Sequence, residues 1–142
     1  MAVRFKFAIP VLAIAFVASV LAGCGGGSTR LETVAAEGVV MLDGEPLADA
    51  DVALSPEKGP TATGRTDAEG RFKLTTYLPG DGAVVGDHIV TVNKQVAKGQ
   101  DKQGYTQYES MVPAVYVNPA KSPLSATIFP GGDKNLLFEL EK

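Results

Sequence analysis

From Gly38 onward the apolar residues alternate with period two in short runs, and turn residues close almost every run. That pattern argues against a helical body, whose apolar positions recur near every 3.6 residues, and calls for sheets with one buried face. Gly38 to Leu42 offers Val40 and Leu42 to one side, and Ala50 to Ser55 offers Ala50, Val52 and Leu54. Pro56 to Pro60 reads as a loop before a third run, Ala62 to Thr66. Arg71 to Tyr77 sets Phe72, Leu74 and Thr76 against Arg71, Lys73 and Thr75, and Asp87 to Asn93 turns His88, Val90 and Val92 together. Leu124 to Phe129, with Leu124, Ala126 and Ile128 inward, and Leu136 to Leu140, with Leu136, Phe138 and Leu140 inward, complete the set. The turns between have a mechanism: Asp43-Gly44-Glu45-Pro46 and Asp67-Ala68-Glu69-Gly70 place residues that tolerate positive φ, or fix their own φ, where the chain reverses. Residues 95–110 are polar and read as a long loop, and Met111 to Tyr116 is the one helical candidate, against Pro113. These runs predict an all-β fold over residues 38–142: a seven-stranded antiparallel two-sheet sandwich with Greek-key connections.

Residues 1–23 read as an export signal, with Arg4 and Lys6 before an apolar run from Phe7 to Val20. No basic stop-transfer cluster follows; Gly25-Gly26-Gly27-Ser28 does, a tract that continues a helix poorly. Residues 24–37 then read as a flexible tether, with an end-to-end distance of about 20 Å. Composition excludes several function classes. One Cys and one His exclude an internal disulfide and a Cys/His zinc site. With 13 basic residues against 16 acidic ones there is no nucleic-acid footprint. Removing Arg4 and Lys6 with the signal makes the remainder more acidic still, so its surface does not itself seek anionic lipid.

Leu21-Ala22-Gly23-Cys24 resembles the lipobox of bacterial lipoproteins. The resemblance implies a diacylglyceryl group on Cys24, cleavage just before it and an acylated new amino terminus. Two or more acyl chains anchor stably, because each buried methylene contributes about 0.8 kcal/mol. It also implies an exported protein at the cell envelope, and Gly25 rather than Asp favours outer-membrane sorting in common Gram-negative bacteria.

The stretch Val40 to Leu54, with Asp43-Gly44-Glu45-Pro46-Leu47, resembles the opening of carboxypeptidase regulatory-like domains, also called transthyretin-like. Thr66-Asp67-Ala68-Glu69-Gly70-Arg71-Phe72 matches their second hallmark, and Gly86 to Val92 the third, with His88 where Tyr is usual. The tail, Val112 to Pro119, Ser122 to Ile128 and Gly131 to Leu140, is similar to small bacterial lipoproteins built from one such domain. The resemblance implies a transthyretin-like or immunoglobulin-like sandwich, mostly without catalysis, used as an accessory or interaction module.

The expected function is a non-catalytic, lipid-anchored binding or scaffolding module, with envelope proteins or wall polymers as partners and no cofactor. A Ca²⁺-dependent or carbohydrate-binding module is the alternative. Asp67, Glu69 and Gly70 lack the alternating oxygen ligands of a calcium loop and read as a capped turn. Asp43, Asp49 and Asp51 read as a solvated set. His88 reads as a half-buried sheet residue. Transthyretin-like hydrolases of hydroxyisourate use several His and Arg residues and a C-terminal Tyr-Arg-Gly-Ser, whereas this chain has one His and ends Glu139-Leu140-Glu141-Lys142. Gly80 to Gly86 lacks the Lys and helix of a phosphate loop. Tyr105, Tyr108 and Tyr116 are the candidate ligand contacts, because aromatic faces stack on apolar faces of sugars.

Overall fold

A computed structural model describes residues 29–142. The export segment, the lipobox Leu21-Ala22-Gly23, Cys24 and the glycine tract lie outside the described residues.

Among the described residues the strands are β1 (Thr33–Val34), β2 (Ala36–Leu42), β3 (Glu45–Pro46), β4 (Asp51–Pro56), β5 (Ala62–Arg65), β6 (Arg71–Lys73), β7 (Ala83–Val84), β8 (Gly86–Asn93), β9 (Gln95–Gln100), β10 (Thr106–Ser110), β11 (Ser125–Ile128) and β12 (Asp133–Leu140), with one helical turn, α1 (Ala114–Val117). All seven expected runs are strands. One sheet has the order β11-β8-β4-β5, antiparallel throughout. In the other, β2 is central, with β12 on one side and the short β3 and β6 sharing the other. β1–β7 and β9–β10 form separate two-stranded ribbons.

The inner faces pack as the alternation requires. Val40, Val52, Leu54, Leu74, Val90, Val92, Ile128 and Leu140 are fully buried. Phe72 and Phe138, on strands that flank β2 in the same sheet, stack over its inner face at 5.7 Å between ring centroids. Burying each such side chain contributes about 1.5–3 kcal/mol. The buried hydroxyl of Thr66 is satisfied twice, donating to Leu47 O at 2.6 Å and accepting from Ala50 N at 2.8 Å. One side of the sandwich is stitched between the sheets: Thr63 and Thr75 exchange backbone hydrogen bonds at 2.9 and 2.8 Å. On the other side β11 and β12 are the sheet edges, joined through Phe129 to Gly132.

Three expectations need correction. β12 runs parallel to β2, from Asp133↔Ala36 to Leu140↔Leu42, so the sandwich is not wholly antiparallel. Hairpin turns set the direction of strands adjacent in sequence, and they say nothing about a pair separated by nearly the whole domain. The folded unit begins at Thr33, not Gly38. Ala36 is buried and Thr33–Val34 pairs with Ala83–Val84. This start is hidden in sequence because Val34-Ala35-Ala36 is small and barely alternates. Residues 95–110 are a hairpin, not a loop.

Strand register defines two poles. Pro56 of β4 faces His88 of β8, while Asp51 faces Asn93. The segment before β2, the Pro56 to Pro60 loop, the Tyr77 to Gly82 loop and the Phe129 to Gly132 turn therefore share one end, the N-terminal pole. The β2–β3 turn, the last residues of the chain and the base of the β9–β10 hairpin share the other.

Candidate functional site

The β9–β10 hairpin continues β8 past the end of the sandwich as a free arm. Its turn is built by one side chain. Asp101 Oδ1 accepts the N–H groups of Gln103 and Tyr105, both at 2.9 Å, and Asp101 Oδ2 accepts from Gln107 Nε2 at 2.9 Å. Gly104 N donates to Asp101 O at 3.0 Å, closing the turn. The Asp67 turn has the same pattern: Oδ1 accepts from Glu69 N at 3.0 Å and Arg71 N at 2.9 Å, and Gly70, at φ 74°, donates to Asp67 O. Glycine meets that positive φ without strain. The arm's root is pinned where Met111 N donates to Lys94 O at 2.8 Å, and Val112 beyond it returns to the core.

Every strand residue of the arm is exposed on both faces. Tyr105 is 71% and Tyr108 64% exposed. Tyr108 pairs with Ala97, a partner too short to cover the ring. The register shifts between Gln107 and Tyr108, and Lys98 Nζ lies 3.4 Å from Glu109 Oε2. The arm thus presents two uncovered phenol rings with a weak ion pair, and an isolated two-stranded ribbon of this kind has marginal stability by itself.

Tyr116 is not brought to these two. It stands on α1, half-buried against the core, and its hydroxyl accepts the Glu141 N–H at 3.1 Å, a structural tie. His88 is 2% exposed, more buried than the half-buried position expected of it. Its Nε2 sits 2.7 Å from Val84 O and its Nδ1 is buried without a partner among the described residues. Asp43 Oδ1 accepts the Lys142 N–H at 3.0 Å, and Asp49 and Asp51 lie 3.8 and 3.3 Å from Arg65. Among the described residues no group of three His, Cys, Asp or Glu side chains is placed to hold a metal ion.

The Tyr77 to Gly82 loop is organised by a carboxylate of its own. Asp81 already fills it, accepting the N–H groups of Thr76, Tyr77 and Leu78 at 2.7, 3.0 and 2.9 Å. Desolvation pushes this carboxyl up, but those backbone donors together outweigh it and hold the group below the usual carboxylate range.

The arm's turn is the feature that sequence reasoning missed. The signal was present: Asp101-Lys102-Gln103-Gly104 repeats the Asp-x-x-Gly spacing of Asp67-Ala68-Glu69-Gly70.

A model of the archaeal bacterial Ig-like domain matches residues 29–102. That match runs from the first described residue to the arm's turn, so β10, α1, β11 and β12 lie beyond it. Comparison with curated proteins gives no match. Among solved structures, a 9R-lipoxygenase from Cyanothece PCC8801 is similar with a TM-score of 0.40 and 14% identity over 78% of this chain. This chain spans 16% of that lipoxygenase chain. The family model covers more than half of the sequence, and the chain belongs to the archaeal bacterial Ig-like domain family.

Proposed function

We propose that this protein is a lipid-anchored, exported Ig-like module that binds or scaffolds without catalysis at the cell envelope. Within the Ig-like class we read it as a carboxypeptidase regulatory-like domain held to the membrane through a lipid on Cys24. The arm is the observation that carries the binding role: Tyr105 and Tyr108 stand out on a ribbon whose strand residues are all exposed. Aromatic rings of this kind anchor protein interfaces and stack on sugars, so envelope proteins and wall polymers are the partner classes. The non-catalytic reading is supported by His88, whose Nε2 is engaged inside the core. The two turn hallmarks support the finer family reading, since the Asp43 turn joins the paired β2 and β3 and the Asp67 turn carries the chain from β5 in one sheet to β6 in the other.

Crosslinking in intact cells, with capture through a C-terminal tag and mass spectrometry, tests this reading. One or two envelope proteins, enriched with wild type and lost in both Cys24→Ala and a Tyr105→Ala/Tyr108→Ala double variant, are expected. If no protein or glycan depends on the arm, the binding role is wrong. A Cys24→Ala protein that still fractionates with membranes, with no lipid mass on the wild type, would sink the anchor.

A further inference from the structure

We propose that the N-terminal pole of the sandwich rests on the bilayer surface through three apolar loop tips, which aims the arm away from the membrane. The inference builds on lipid anchoring at Cys24 and adds the orientation of the domain.

Three large apolar side chains protrude at this pole: Leu31, Leu78 and Phe129, which are 41%, 58% and 62% exposed. They belong to separate chain segments that converge. Leu31 N donates to the Tyr77 hydroxyl at 3.1 Å, and the Arg30 guanidinium lies 5.2 Å from the centre of the Tyr77 ring. Val34 and Ala35 are gripped between the other two segments. Gly82, at φ 88°, lies so close that a Cβ there would overlap Val34 O, and Asp133 N donates to Ala35 O at 2.9 Å. The loop tips are thus fixed to one another by backbone contacts.

Chain length supplies the occupant. Only a few residues separate Cys24 from Thr29, the first described residue, and a trans chain extends at most about 3.6 Å per residue, or about 18 Å in all. A lipid held at headgroup level through Cys24 therefore keeps this pole within about 18 Å of the interface. The short tether gives the apolar tips a high local concentration at the bilayer. The pole mixes Arg30, Lys58 and Lys134 with Glu32, Glu57 and Asp133, so it is no basic patch. Contact is therefore apolar and insensitive to salt. β8 spans about 26 Å at 3.3 Å per residue from this pole to the opposite one, and the arm that carries Tyr105 is rooted at that far end.

The test uses the full-length lipidated protein in phosphatidylethanolamine/phosphatidylglycerol vesicles containing headgroup-level nitroxide lipid. A fluorophore is attached at Leu78→Cys in one sample and at Tyr105→Cys in another. Several-fold stronger quenching at position 78 than at 105, unchanged in high salt, is expected. Equal quenching at both positions, with lipid mass present on Cys24 and the protein floating with the vesicles, overturns the orientation and leaves the anchor intact. A protein without lipid mass that stays in solution overturns the anchor, and the orientation falls with it. Leu78→Ser with Phe129→Ser, both exposed and so compatible with folding, should reduce quenching of a label at Lys58→Cys without affecting flotation. Undiminished quenching there would show that the tips do not make the contact.

Discussion

The sandwich and the arm share strand geometry and the same Asp-x-x-Gly turn, yet they differ in what stabilises them. In the sandwich, alternate side chains disappear into a common core, and the Phe72–Phe138 stack joins β6 to β12 over the inner face of β2. In the arm, Val96, Lys98, Tyr108 and Glu109 all face water. The comparison teaches that local turn chemistry is sufficient to shape a hairpin and insufficient to bury one. The arm's strands pair with each other and leave their side chains on the surface.

The strongest challenge to that contrast is truncation on both sides of it. Phe138→Ala should destabilise the domain by about 3–5 kcal/mol in urea unfolding, through lost burial and a cavity. Tyr108→Ala should change stability by less than about 0.5 kcal/mol. Similar losses for both would mean that the arm packs on the body.

Thr66→Val comes next in size. It keeps the side-chain shape but leaves Leu47 O and Ala50 N without their buried partner, a loss of about 1–3 kcal/mol in the same assay.

Asp81→Asn sharpens the contrast through pH. The folded carboxyl titrates below the value of about 3.9 expected in an unfolded chain. Its contribution is therefore present above about pH 4 and is lost as pH falls through the folded value. The wild type should lose stability over that acid window, and Asp81→Asn should flatten this part of the curve. An unchanged acid limb would show that the loop does not depend on the charge.

The smallest expected effect on stability comes from the largest excision. Because Lys94 O and Met111 N are already hydrogen-bonded, an Asn-Gly turn can replace residues 95–110. Thermal unfolding should shift by only a few degrees, while partner crosslinks disappear. A domain that no longer folds would place the arm within the folding unit.

Much of this was legible in the residues themselves. The longer strands announced their buried face: Phe72 and Leu74, Val90 and Val92, Leu136, Phe138 and Leu140 lie inward as their alternation required, whereas the two-residue β7, buried at both Ala83 and Val84, is too short to alternate. Tyr105 and Tyr108 were singled out and prove exposed, while Tyr116, of the same residue type, is tied to Glu141 by a contact between distant parts of the chain. Gln95 to Gln100 gave no strand signal because alternation records burial on one face, and the arm buries neither. The β2–β12 register was also hidden, since nothing near Ala36 specifies a partner at Asp133.

That parallel pairing has a mechanical consequence. β2 enters at one pole and β12 leaves at the other, side by side and pointing the same way. Tension applied between the two ends of the described chain pulls these strands in opposite directions along their shared length. Their ladder then bears the load all at once, in shear, instead of opening one bond after another like a zipper. A force ramp between residues 33 and 142 should therefore meet greater resistance than one applied across the β9–β10 ribbon from residue 95 to residue 110, where the bonds open in sequence. Tethered at one end and gripped at the other, this domain would hold as a link in a chain under strain.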